Sequence, residues 1–91
     1  MAEQITILLA DDHRVLRQGM AQALEAQPDM VVVAQADNGI EAVQLVNFHQ
    51  PDVALVDINM PEMDGVEATR RITADSPQTS IIILTMYRQG D

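Results

Sequence analysis

Four short apolar runs, 5–10, 31–36, 53–56 and 81–84, recur along this 91-residue chain with amphipathic stretches between them. None alternates polar with apolar residues cleanly, the pattern of strands covered on both faces by helices, so together they predict a parallel sheet. The stretch 14–26 carries Leu16, Met20, Ala23 and Leu24 at a helical period and places Arg17, Gln18, Gln22 and Glu25 off that face. A second helix opens with Asn38 as N-cap and Glu41 three residues on, the capping-box spacing, and buries Ala42, Leu45 and Val46 before Pro51. A third opens with Asp64 and Glu67 at the same spacing, presents Val66, Thr69 and Ile72, and closes before Pro77. Each of Pro28, Pro51 and Pro77 separates a helix from the next strand. The order β-α-β-α-β-α-β implies right-handed crossovers and an α/β, doubly wound parallel sheet.

A chain of this length supports one domain, 1–91, with one modest core. Its 47% apolar content includes a single Phe48, a single Tyr87 and no tryptophan, so that core is aliphatic. The absence of cysteine excludes a disulfide framework and a thiolate metal site, and makes a cytoplasmic location the expectation. Glu3 stands where a signal peptide would be basic, and the apolar run after it is too short to span a bilayer, so it reads as a strand and no membrane partner is expected. The formal charge is −9, with five arginines and no lysine. Such a field repels phosphate backbones and suits cation binding, besides keeping the chain soluble.

Ligands of open parallel sheets bind outside the carboxyl ends of the strands. Asp11 and Asp12 follow the first run, Asp57 follows the third, and Thr85 ends the fourth; the second contributes Asp37 and Asn38. Converging carboxylates repel one another unless a cation sits among them. With oxygen ligands and no histidine in the cluster, Mg²⁺ is expected over Zn²⁺. A carboxylate beside Mg²⁺ can attack a phosphoryl group, and Asp57, behind a rigid apolar strand and ahead of the exposed turn residues Pro61 and Gly65, is the best placed nucleophile. The Thr85 hydroxyl can donate to a phosphoryl oxygen. Taken singly, the aspartates read as residues favoured by a helix dipole and Thr85 as an ordinary strand residue; joint placement at three strand ends is what singles them out. His13 reads as a surface residue capping the first helix. Met60, Met63 and Met86 read as packing, with Met86 also placed to screen the site.

These residues resemble the receiver domains of bacterial two-component response regulators, most closely the NarL/LuxR-type group that usually carries a C-terminal helix-turn-helix. The matching pieces are Leu9 to His13 (LADDH), 56–65 (VDINMPEMDG), and Leu84 with Thr85. The resemblance covers the whole chain and implies a flavodoxin-like receiver fold with sheet order 2-1-3-4. It implies that Asp57 accepts a phosphoryl group from a histidine kinase with Mg²⁺ and so regulates a transcriptional effector. It also implies metal ligation by Asp12 directly, by Asp11 through water, by Asp57, and by the backbone carbonyl of Asn59, with Thr85 as the switch hydroxyl.

Measured against that family, the chain stops after its fourth strand. A fourth helix, a fifth strand with its lysine, a fifth helix and the moving aromatic have no counterpart, and an incomplete receiver is expected. DNA contact would then need a C-terminal domain absent here. The fourth strand, left as an edge, is expected either to drive self-association or to leave the chain marginally folded. Two rival readings are a Mg²⁺-dependent phosphohydrolase and a docking-only receiver-like module. The first needs an acid/base two positions after the nucleophile, where Asn59 cannot transfer protons, so the chain is not expected to be an enzyme. The second conflicts with the intact Asp11, Asp12, Asp57 and Thr85 set.

Overall fold

A computed structural model describes residues 3–84. Its elements are β1 (Ile5–Ala10), α1 (Arg14–Glu25), β2 (Met30–Ala36), α2 (Gly39–His49), β3 (Val53–Asp57), α3 (Gly65–Asp75) and β4 (Ser80–Leu84). The four strands form one parallel sheet in the order β2-β1-β3-β4, as expected. The β1–β2 register shifts between Ile7 and Leu8, where Ile7 faces Val32 but Leu8 faces Ala34, so Val33 is an extra residue that bends the edge strand.

The core is aliphatic and sits under α2 and α3. Leu8, Ala10, Ala36, Ala54 and Val56 from the strands meet Ala42 and Val46 of α2, Ile72 of α3, and Met60. Strand alternation turns Ile7 and Leu9 to the other face, against which α1 lies. Small alanines facing the larger Val46 and Ile72 let the helices approach the sheet closely.

The capping expectations are half realised. Asn38 Oδ1 accepts from Glu41 N at 2.8 Å, and Asp64 Oδ1 accepts from Glu67 N at 2.9 Å. The return arm of each box goes elsewhere. Glu41 Oε1 takes the N–H of Asp37, one residue upstream of the cap, and Glu67 bonds Arg70 and Arg71 on its own helix. α2 ends at Gln50 in the left-handed region (φ 49°), whose side-chain amide donates to the carbonyls of Val46 and Asn47.

Three helix-face assignments need correction. Ala23 is exposed, whereas Arg17 and Ala21 are the buried residues of α1, beside a half-buried Leu16, Met20 and Leu24. Val66 is exposed and Ala68 takes its place between α3 and the sheet. Arg17 joins the buried side of α1 because its guanidinium finds partners at Gln35, Ala36 and Asp37 and at the Asp11 carbonyl. Among the described residues β4 pairs with β3 alone, and Ile82 and Ile83 are exposed.

Candidate functional site

The sheet delivers its carboxyl ends to one rim. Ala10 is the last residue of β1, and Asp11 follows with its N–H held by the Ala36 carbonyl of β2 at 3.1 Å. Asp57 closes β3 one strand away, flanked by Leu84 of β4, whose carbonyl accepts from Ile58 N. Parallel pairing of β1 with β3, Ala10 opposite Val56, thus sets Asp11 and Asp57 side by side. Ligand atoms of Asp11, Asp12, His13 and Asp57 all lie within 4.8 Å of one another.

Asp11 and Asp57 are almost completely buried, at 1% and 2% exposure, while Asp12 is exposed. Burial pushes the Asp57 carboxyl above the usual carboxylate range; the Asn59 N–H, 3.3 Å from Oδ1, opposes this, and the charges of Asp11 and Asp12 add to it while His13 offsets part. Asp11 Oδ1 accepts from the His13 N–H at 2.8 Å, but its Oδ2 is a buried oxygen with no hydrogen-bond partner among the described residues. A buried orphan acceptor in a cluster of three carboxylates is costly as it stands, and a hard cation is the group whose chemistry fits it.

His13 departs from expectation. Its backbone occupies the N-cap of α1, as anticipated, but its ring makes no capping bond. Nδ1 instead lies 3.0 Å from Asp11 Oδ1 and 3.1 Å from Asp12 Oδ1, so an imidazole belongs to a cluster expected to hold oxygen donors alone. The donor set remains dominated by carboxylates, which preserves the preference for a hard cation.

The loop from Asp57 to α3 is held by close backbone approach. A Cβ on Gly65 would run into the Asp57 carbonyl and the Ile58 Cα, and a Cβ on Gly39 would run into the Met63 carbonyl. Glycine at both positions lets the start of α3 abut the end of β3 and lets the loop bearing Asn59 rest on the start of α2. Asn59 is exposed at the site's edge and Met60 is buried in the core. Thr85 and Met86 lie outside the described residues.

Arg17 escaped the sequence reading. It is 7% exposed, and its guanidinium bonds the carbonyls of Asp11 and Ala36 together with the side chains of Asp37 and Gln35. Residue type had assigned it to the polar face, although its spacing to Ala21 was compatible with burial.

The sequence profile of the response regulator receiver domain matches residues 7–91. The chain belongs to the response regulator receiver family. Among curated relatives, this receiver is 45% identical over 87 residues to the transcriptional regulatory protein LiaR of Bacillus subtilis, covering 96% of this chain and 41% of that one. It is 49% identical over 82 residues to the oxygen regulatory protein NreC of Staphylococcus carnosus, covering 89% and 38%. The receiver thus spans about two fifths of the length of the curated relatives it matches. Among solved structures it superposes on the signal receiver domain of NarL from Mycobacterium tuberculosis with TM-score 0.89 and 32% identity, covering 97% of this chain and 71% of that one. The same TM-score, with 34% identity and 97% and 66% coverage, relates it to the response regulator domain of Thermotoga maritima CheB. The flavodoxin-like receiver fold and its NarL/LuxR-type affinity are therefore as the resemblance implied. No helix among the described residues is long and apolar enough to cross a membrane.

Proposed function

We propose that Asp57 is the phosphoacceptor of this receiver, and that the acidic cluster holds Mg²⁺. The observation that carries the reading is the buried Asp11 Oδ2, without a hydrogen-bond partner among the described residues, beside Asp57 and Asp12, a constellation stabilised by added positive charge. Asp12 and Asp57 would ligate the ion directly, Asp11 through water, and Asn59 through its backbone carbonyl. Bound there, Mg²⁺ supplies charge neutralisation for the transferring phosphoryl oxygens.

The remaining chemistry belongs to the chain. An Asp57 carboxylate oxygen attacks phosphorus, forming an acyl phosphate as the bond to the donor's leaving nitrogen or oxygen breaks. Burial at the end of β3 gives that oxygen one direction of approach. Thr85 would donate to a phosphoryl oxygen and report the modification. A histidine kinase is the proposed donor, and the transcriptional output is proposed for the whole protein, on the strength of relatives named as transcriptional regulators.

The test is treatment with acetyl phosphate and Mg²⁺ followed by mass spectrometry. One phosphoryl increment is expected on the peptide containing Asp57, absent from Asp57→Asn and from samples in chelator. Modification of Asp12 or His13 in place of Asp57 would refute the assignment.

A further inference from the structure

We infer that Arg17 is a positioning residue for the acidic cluster, holding the main chain on both sides of Asp12; the inference rests on the metal-binding reading proposed above. Arg17 Nη1 donates to the Asp11 carbonyl at 2.7 Å and to the Ala36 carbonyl at 3.1 Å, and the Arg17 backbone N–H donates to the His13 carbonyl at 2.8 Å. Asp12 lies between those two pinned carbonyls. Its side chain is exposed and meets the His13 ring, so the fixed peptides on either side of it and that ring together set its direction.

The guanidinium is itself held. Its Nη1 lies 2.5 Å from Asp37 Oδ1, and its Nε donates to Gln35 Oε1 at 3.0 Å, so strand β2 supplies the frame against which α1 locks the β1 end. One planar group serves all these oxygens from a buried position: Nε takes the Gln35 amide oxygen while the two hydrogens of Nη1 are shared among the Asp11 and Ala36 carbonyls and the Asp37 carboxylate, a spread that an ammonium on a mobile stem does not hold in place. The contacts are worth more than surface bonds because Arg17 is buried; its loss takes the guanidinium from the Asp11 carbonyl, while the Ala36 carbonyl keeps the Asp11 N–H.

The test combines Mg²⁺ titration followed by NMR with amide hydrogen exchange at Asp12 and His13, in wild type, Arg17→Gln, Arg17→Lys and Asp37→Asn. Helical content by circular dichroism identifies folded variants. Arg17→Gln is expected to weaken Mg²⁺ by about tenfold or more, the scale on which outer-sphere supports act, and to accelerate exchange at both amides. Arg17→Lys should fall between it and wild type. Asp37→Asn, which keeps the two carbonyl bonds, should stay within about threefold of wild type, well short of that outer-sphere scale. A folded Arg17→Gln chain with wild-type affinity and wild-type exchange overturns the inference; if that variant does not fold, wild-type values in Arg17→Lys overturn it instead. A wild-type chain that takes up no Mg²⁺ refutes the metal-site reading, and exchange alone then decides the role of Arg17.

Discussion

The two rims of the sheet handle polar groups in opposite ways. At the rim where the strands begin, every named side chain is answered. Thr6 and Asp52 exchange three hydrogen bonds between their hydroxyl, carboxylate and backbone N–H groups. Thr79 Oγ1 donates to the Pro51 carbonyl at 2.8 Å, and the fully buried Ser76 hydroxyl sits between Gln50 and Asn47, with Gln78 donating to Gln50. At the rim where the strands end, two buried carboxylates stand beside a third, and one oxygen has no partner among the described residues. The first rim holds the turns together. The second stores unfavourable charge that a cation can relieve, and the difference separates stability from function.

The largest effect should come from the working rim. Asp12→Ala is expected to weaken Mg²⁺ by about 10- to 100-fold, at least the effect of an outer-sphere change, with little change in thermal unfolding, because Asp12 is exposed. Unchanged affinity in a calorimetric titration would remove Asp12 from the ligand set. The opposite rim should respond the other way. Thr79→Val keeps the shape but leaves the Pro51 carbonyl unanswered, costing about 1 kcal/mol in urea unfolding while Mg²⁺ affinity stays at its wild-type value. Coupled loss of both would show that the rims are not independent.

Acid titration sharpens the contrast through its sign. The folded-state pKa of Asp57 is raised, so the folded chain binds its proton more tightly than the unfolded chain does. Relative to Asp57→Asn, wild type should therefore lose stability as pH rises from about 4 through the elevated pKa, and then level off. Denaturation curves that show no growing advantage for Asp57→Asn in metal-free buffer would contradict the burial argument. The smallest effect belongs to Asp52, whose carboxyl the Thr6 N–H and hydroxyl hold below the usual range. Its contribution is present above about pH 4 and fades as pH falls through the lowered pKa, so wild type and Asp52→Asn should converge in stability at acid pH. Divergence there would place the clamp elsewhere.

The apolar runs, the prolines after each helix and the Asn38 and Asp64 caps were enough to determine the number, type and order of the elements through β4, because backbone preference and burial on a sheet are set by local pattern. The same pattern placed Asp11, Asp12 and Asp57 on one rim, since a parallel sheet sends all its carboxyl ends the same way. What only the tertiary structure decided was which polar groups would meet. Arg17 looked like solvent-facing charge until the Asp11 and Ala36 carbonyls and the Asp37 carboxylate converged on it from residues far apart in the chain. His13 looked like a surface cap until its ring turned to the aspartates beside it. Gly39 carried no visible signal and Gly65 read only as an exposed turn residue, although it is buried at the start of α3, because the Met63 and Asp57 carbonyls that exclude a Cβ there are brought close only when α2, α3 and β3 pack. Periodicity along one chain encodes burial against an average partner, whereas a buried cation, an imidazole contact and a forbidden Cβ each depend on the particular atoms that arrive from elsewhere.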